Sequence, residues 1–76
     1  MAIVKTLRRI TLEGRSSHTE VKDCTYSVVT NDDGRKCLQI DTYGSAYRRI
    51  PDKKSQSLRF TPEAITELRR ILAEEL

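Results

Sequence analysis

TYSVVTNDDGRKCLQIDTY, residues 25–43, is the stretch on which the fold turns. Two runs rich in β-branched and aromatic residues, 25–30 and 36–43, flank Asn31-Asp32-Asp33-Gly34. Runs of that kind separated by Asn, Asp and Gly read as a hairpin. Asn, two Asp and then Gly suit a type I turn closed by a left-handed glycine, with a G1 bulge. The bulge predicts Asn31 opposite Arg35, Val28 opposite Leu38 and Tyr26 opposite Ile40. Tyr26, Val28, Leu38 and Ile40 then share one face. Thr25, Ser27, Val29, Cys37, Gln39 and Asp41 take the other, exposed one. A slip by one residue splits the apolar set, so the hydrophobic pattern selects this register. It also sets Cys24 and Cys37 on different faces, where opposed Cβ vectors cannot be bridged. Both thiols are expected to be free.

Downstream, Thr61-Pro62-Glu63 opens a helix: Thr as N-cap, Pro at the first helical position, an acid at the positive end of the dipole. Ala64, Ile65, Leu68, Ile71, Leu72 and Leu76 follow at the spacing of one buried stripe. Glu74 and Glu75 lie at the wrong end of the dipole, so the last turn is expected to fray. Residues 56–60 (QSLRF) alternate and read as a strand with Leu58 and Phe60 inward. Upstream, residues 4–13 alternate imperfectly and end at Gly14, giving a first strand with Ile10 and Leu12 inward. Residues 15–19 form a polar connection, and 20–24 extend the second strand backward. The order is β-β-β-β-α. The fold class is α+β, a four-stranded antiparallel sheet followed by one C-terminal helix.

Seventy-six residues make a single small domain, residues 1–76, with a thin core of six Ile, seven Leu, four Val and one Phe. One helix covers a four-stranded sheet only in part, so a homodimer that buries the remaining apolar surface is expected. No apolar run approaches the ~20 residues that span a bilayer, so no membrane partner is expected. The start, MAIVKTLRR, lacks the order of a signal peptide. With only two cysteines, this suits a reducing, cytoplasmic setting.

The net charge is +3, and its distribution carries more information than its size. Residues 43–59, YGSAYRRIPDKKSQSLR, hold Arg48, Arg49, Lys53, Lys54 and Arg59 against Asp52 alone. That local excess is the footprint of a phosphate-backbone site. Tyr43 and Tyr47 supply rings on which unpaired bases stack, and Ser45, Ser55, Gln56 and Ser57 add neutral donors for phosphate or sugar oxygens. A solvated connection whose charges confer solubility is the competing account. A second basic group, Lys5, Arg8 and Arg9, fits an edge strand guarded by charge as well as it fits binding.

Catalytic and metal chemistry find no support. His18, Cys24 and Cys37 lack the paired spacing of a structural zinc site. Ser16 or Ser17 with His18 and Asp23 lacks a nucleophile elbow. Gly14, Gly34 and Gly44 are too far apart for a phosphate loop. The chain is expected to be no enzyme, with no cofactor and no metal.

The YSVV…LQID hairpin, the basic KK segment, the alternating SLRF strand and the helix opening T-P-E resemble the positive-cofactor-four-like transcriptional coactivator family, over roughly residues 25–72. That family and the related Whirly proteins bind single-stranded DNA. The resemblance implies a dimeric β-β-β-β-α unit that holds nucleic acid on its sheet and connecting loops. By position, Lys53 and Lys54 match the family's basic residues before the last strand, and Tyr43 matches an aromatic ending the preceding one. Ser57 stands where the family often has Gly, and Ile65 where it has Trp. Two functions stay open. The first is a single-stranded nucleic-acid-binding module, DNA or RNA, serving transcription or DNA maintenance, with Tyr43, Tyr47, Arg48, Arg49, Lys53, Lys54, Gln56 and Arg59 as its site. The alternative is a protein-interaction or adaptor domain of the same fold, using its sheet face or an edge.

Overall fold

The computed structural model describes residues 1–14, 20–21, 23–43 and 54–76, with the backbone alone at Lys54 and Ser55. Its elements are β1 (Ala2–Val4), β2 (Cys24–Thr30), β3 (Lys36–Tyr43), β4 (Lys54–Phe60) and α1 (Pro62–Glu74). The strands form one sheet in the order β1-β4-β3-β2. Among the described residues this is an α+β arrangement of four strands and one C-terminal helix.

The hairpin takes the bulged register. Val28 faces Leu38 and Tyr26 faces Ile40. The Asn31 amide donates to the Arg35 carbonyl at 2.7 Å, and Gly34 donates to the Asn31 carbonyl at 3.0 Å. Gly34 has φ +83°, the left-handed conformation in which a Cβ would crowd the backbone. The Asp33 carboxylate accepts from the Arg35 amide at 2.9 Å, so acid and glycine each have a stated task in the turn. The Cys37 thiol donates to the Asn31 side chain at 3.2 Å. Cys37 is buried and Cys24 exposed, both free. Cys24 pairs with Thr42 and Cys37 with Val29, on opposite faces.

The first strand is not where the alternation of residues 4–13 set it. It is Ala2–Val4, and it runs parallel to β4 rather than antiparallel to a neighbour. The sheet is therefore mixed. The cause is a non-local pairing. Ala2, Ile3 and Val4 lie against Leu58, Arg59 and Phe60, and the Thr61 amide donates to the Val4 carbonyl at 3.0 Å. Beyond Val4 no described residue before Cys24 joins the sheet, and Ile10 and Leu12 are exposed rather than inward. Arg9 instead pairs with Glu75 at 3.1 Å, at the far end of α1. The second strand begins at Cys24, so Glu20, Val21 and Asp23 do not extend it, although the Asp23 carbonyl still accepts from Tyr43 at 3.3 Å.

α1 starts as its sequence dictates. The Thr61 hydroxyl accepts from the Ala64 amide at 3.3 Å, which satisfies one of the orphan donors of a helix start. The backbone amide of Glu63 and then the Arg35 guanidinium, 2.6 Å away, hold the Glu63 carboxyl below its ordinary range. Arg70 reaches Glu67 and also Glu74, the latter at 3.1 Å. The Glu75 amide still donates to the Ile71 carbonyl at 2.9 Å, so the last turn is closed.

α1 packs mainly on β3 and β4, and Ala64 is its one buried residue. A helix about 10 Å across covers two strands spaced ~4.8 Å apart, not four. Tyr26 and Val28 on β2 are therefore left 77% and 61% exposed on the face meant for the core, and Leu58 on β4 is 41% exposed as well. Leu58 is thus not inward, while Phe60 and Leu38 are half-buried. Among the described residues no helix is long and apolar enough to cross a membrane.

Candidate nucleic-acid interface

The basic stretch begins at the end of β3 and runs into β4. Between Thr42 and Tyr43 the β3–β4 ladder shifts: Thr42 faces Gln56, but Tyr43 faces Lys54. The irregularity brings Tyr43 and Lys54 together as backbone partners. The two residues that bound the segment 44–53 therefore lie side by side at one corner of the sheet. Tyr47, Arg48, Arg49 and Lys53 belong to that segment and lie outside the described residues, as do Ser16, Ser17, His18, Gly44, Ser45 and Asp52.

Tyr43 is fixed in place. It is half-buried, its hydroxyl and that of Thr25 are 3.0 Å apart, and its amide is bonded to Asp23. These contacts hold the ring root on the face shared by Thr25 and Asp41. Gln56 stands near the same corner but on the other face, exposed beside Leu58, Met1 and Ala2 around a hollow of about 500 Å³. Thr42 Oγ1, next to it in the ladder, is buried without a hydrogen-bond partner among the described residues.

Arg59 is in a different place again. It faces Gln39 near the hairpin end of the sheet, and its Nε and Nη2 both donate to Gln39 Oε1, at 2.9 and 2.6 Å. It borders an open hollow of about 430 Å³ with Thr30, Asn31, Asp32 and Asp33. Two carboxylates beside it repel phosphate. Five steps along the strand separate Arg59 from Lys54, roughly 17 Å. The geometry groups Tyr43 with Lys54, and it groups neither Gln56 nor Arg59 with them on one face of that corner.

The sheet also holds a polar cluster. Gln39 Nε2 donates to both Asp41 oxygens, at 3.2 and 3.1 Å, and Ser57 Oγ donates to Asp41 at 2.5 Å. Gln39 and Asp41 are 8% and 4% exposed. The face read as open is therefore closed along β3 and stays open only on β2, at Thr25 and Ser27. β3 is an inner strand, and Arg59 and Ser57 on β4 reach across onto it. Satisfying each buried polar atom this way avoids the cost of leaving it dry and unpaired. The signal was present in the alternation of Cys37, Gln39 and Asp41 with Leu38 and Ile40. It becomes legible only when β4 is placed beside β3 in this register.

Comparison with models of protein families, with curated proteins and with solved structures finds no match to this chain.

Proposed function

We propose that this chain is a small non-enzymatic module that binds single-stranded nucleic acid, DNA or RNA, as a homodimer. The observation that carries the reading is the Tyr43–Lys54 pairing. It gathers both ends of a segment rich in Arg, Lys and Tyr at one corner of the sheet. Lys53, Lys54, Arg48 and Arg49 neutralise phosphates there, while Tyr43 and Tyr47 stack on bases. The mechanism is occupancy, with no bond made or broken. Arg59 and Gln56 serve at most as outlying contacts, since Arg59 already holds Gln39. The resemblance to the positive-cofactor-four-like family points the same way and suggests a role in transcription or DNA maintenance. Two free thiols suit a reducing, cytoplasmic compartment.

The direct test is fluorescence anisotropy with single- and double-stranded DNA and RNA at 150 mM salt. Single strands are expected to bind more tightly than duplexes of the same length. A Lys53→Ala/Lys54→Ala variant is expected to bind every sequence alike roughly tenfold more weakly, with the log–log salt slope flattened by ~1–1.5. Unchanged binding in that variant removes the basic segment from the account.

A second reading, an adaptor domain, draws on the exposed Tyr26, Val28 and Leu58. Apolar residues grouped on one sheet face mark contact with protein. No binding of any nucleic acid in the anisotropy panel would leave that reading in its place.

A further inference from the structure

The two edges of the sheet are unlike. β1 is three residues long, and short edges are self-protecting. β2 is seven residues long, CTYSVVT, with no charge, no proline and no bulge in its pairing with β3. Charge, proline and bulges are devices that guard an edge, and β2 carries none of these three; among the described residues no strand lies beyond it.

The direction of its free backbone groups follows from the ladder. Asn31 and Asp23 bond to the β3 side, and antiparallel pairs alternate between bonded and non-bonded. Thr25, Ser27 and Val29 therefore bond to β3. Cys24, Tyr26, Val28 and Thr30 direct their N–H and C=O outward. Tyr26 and Val28 are also the most exposed apolar residues of the sheet's interior strands and β2 edge, on one face.

We propose that two copies of this chain pair antiparallel through β2, about a two-fold axis at Ser27, into one continuous eight-stranded sheet. The proposal specifies the self-association in the function above and rests on it. This register uses the full strand. Tyr26 lies opposite the partner copy's Val28 and Cys24 opposite its Thr30, so every outward group meets an outward group and about eight hydrogen bonds form. Each Tyr26 gains a β-branched neighbour on the apolar face, a favourable cross-strand pair. The two open apolar faces become one.

Crosslinking reads the register without any nucleic acid. At the axis the two copies of residue 27 form a non-bonded pair with Cα atoms ~4.5 Å apart, within disulfide range. The two copies of residue 25 are about 14 Å apart. With Cys24→Ser removing the exposed native thiol, Ser27→Cys is expected to give a covalent dimer with oxidised glutathione, reversed by reductant. Thr25→Cys in the same background is expected to stay monomeric on a denaturing gel. Val28→Pro deletes an outward N–H without touching the ladder to β3, and is expected to halve the mass seen by light scattering with an unchanged far-UV spectrum. Equal crosslinking at residues 25 and 27 overturns the proposal. So does a dimer mass with no crosslink at residue 27, which leaves self-association standing through another surface. A monomeric mass for the unmodified chain at tens of micromolar removes both.

Discussion

Replacing Tyr47 by Ala is expected to weaken binding to single strands by ~1–3 kcal/mol, the usual loss when one base forfeits its stacking partner. Duplex binding is expected to change little, because paired bases present no free face. The salt slope is expected to stay where it was, since no charge is removed. That combination is opposite in kind to the effect of neutralising Lys53 and Lys54, which lowers the slope for all sequences. Together the two variants separate a backbone-plus-stacking site from general attraction between a cationic loop and a polyanion. A Tyr47→Ala variant that loses duplex and single-strand binding equally shows that the ring acts through the loop's conformation and not through a base.

The second large effect concerns stability. Asp41 is buried, and its carboxylate accepts from Gln39 and Ser57 while Gln39 accepts from Arg59. Asp41→Ala strands donors on two neighbouring strands in a place water does not reach. Loss of one partner in a buried charged network costs roughly 2–4 kcal/mol. For a domain this small that lowers the melting temperature by on the order of 10 °C or more. Asp41→Asn retains one acceptor and is expected to lose less. Thermal unfolding followed by circular dichroism decides it. A melting temperature within 2–3 °C of the unmodified protein for Asp41→Ala would mean that the cluster is incidental to the fold.

The hairpin and helix were legible because their signals are local. Asn31 to Gly34 demand one turn, that turn fixes one register, and Thr61-Pro62 marks one helix start. The first strand was not legible. Residues 4–13 alternate well enough to suggest a strand, but a strand exists only where a neighbour offers a free edge. That neighbour is β4, which receives Ala2–Val4 in parallel. The same distinction divides the candidate site. Charge clustering between residues 43 and 59 is a property of the sequence. That Tyr43 and Lys54 become partners, while Arg59 is taken up by Gln39, depends on the β3–β4 register and its shift at Thr42/Tyr43. The hairpin alone leaves the face of Gln39 and Asp41 open to solvent. β4 closes it.

The salt dependence of single-strand binding tests the central claim most directly. Four phosphates engaged by Arg48, Arg49, Lys53 and Lys54 imply a log–log slope of about −3 for a single strand. Measured by anisotropy between 50 and 300 mM salt, affinity is then expected to fall along that line and to remain detectable at 150 mM. A slope near zero, or no binding at 150 mM, contradicts the account and returns the basic segment to a solvated connection.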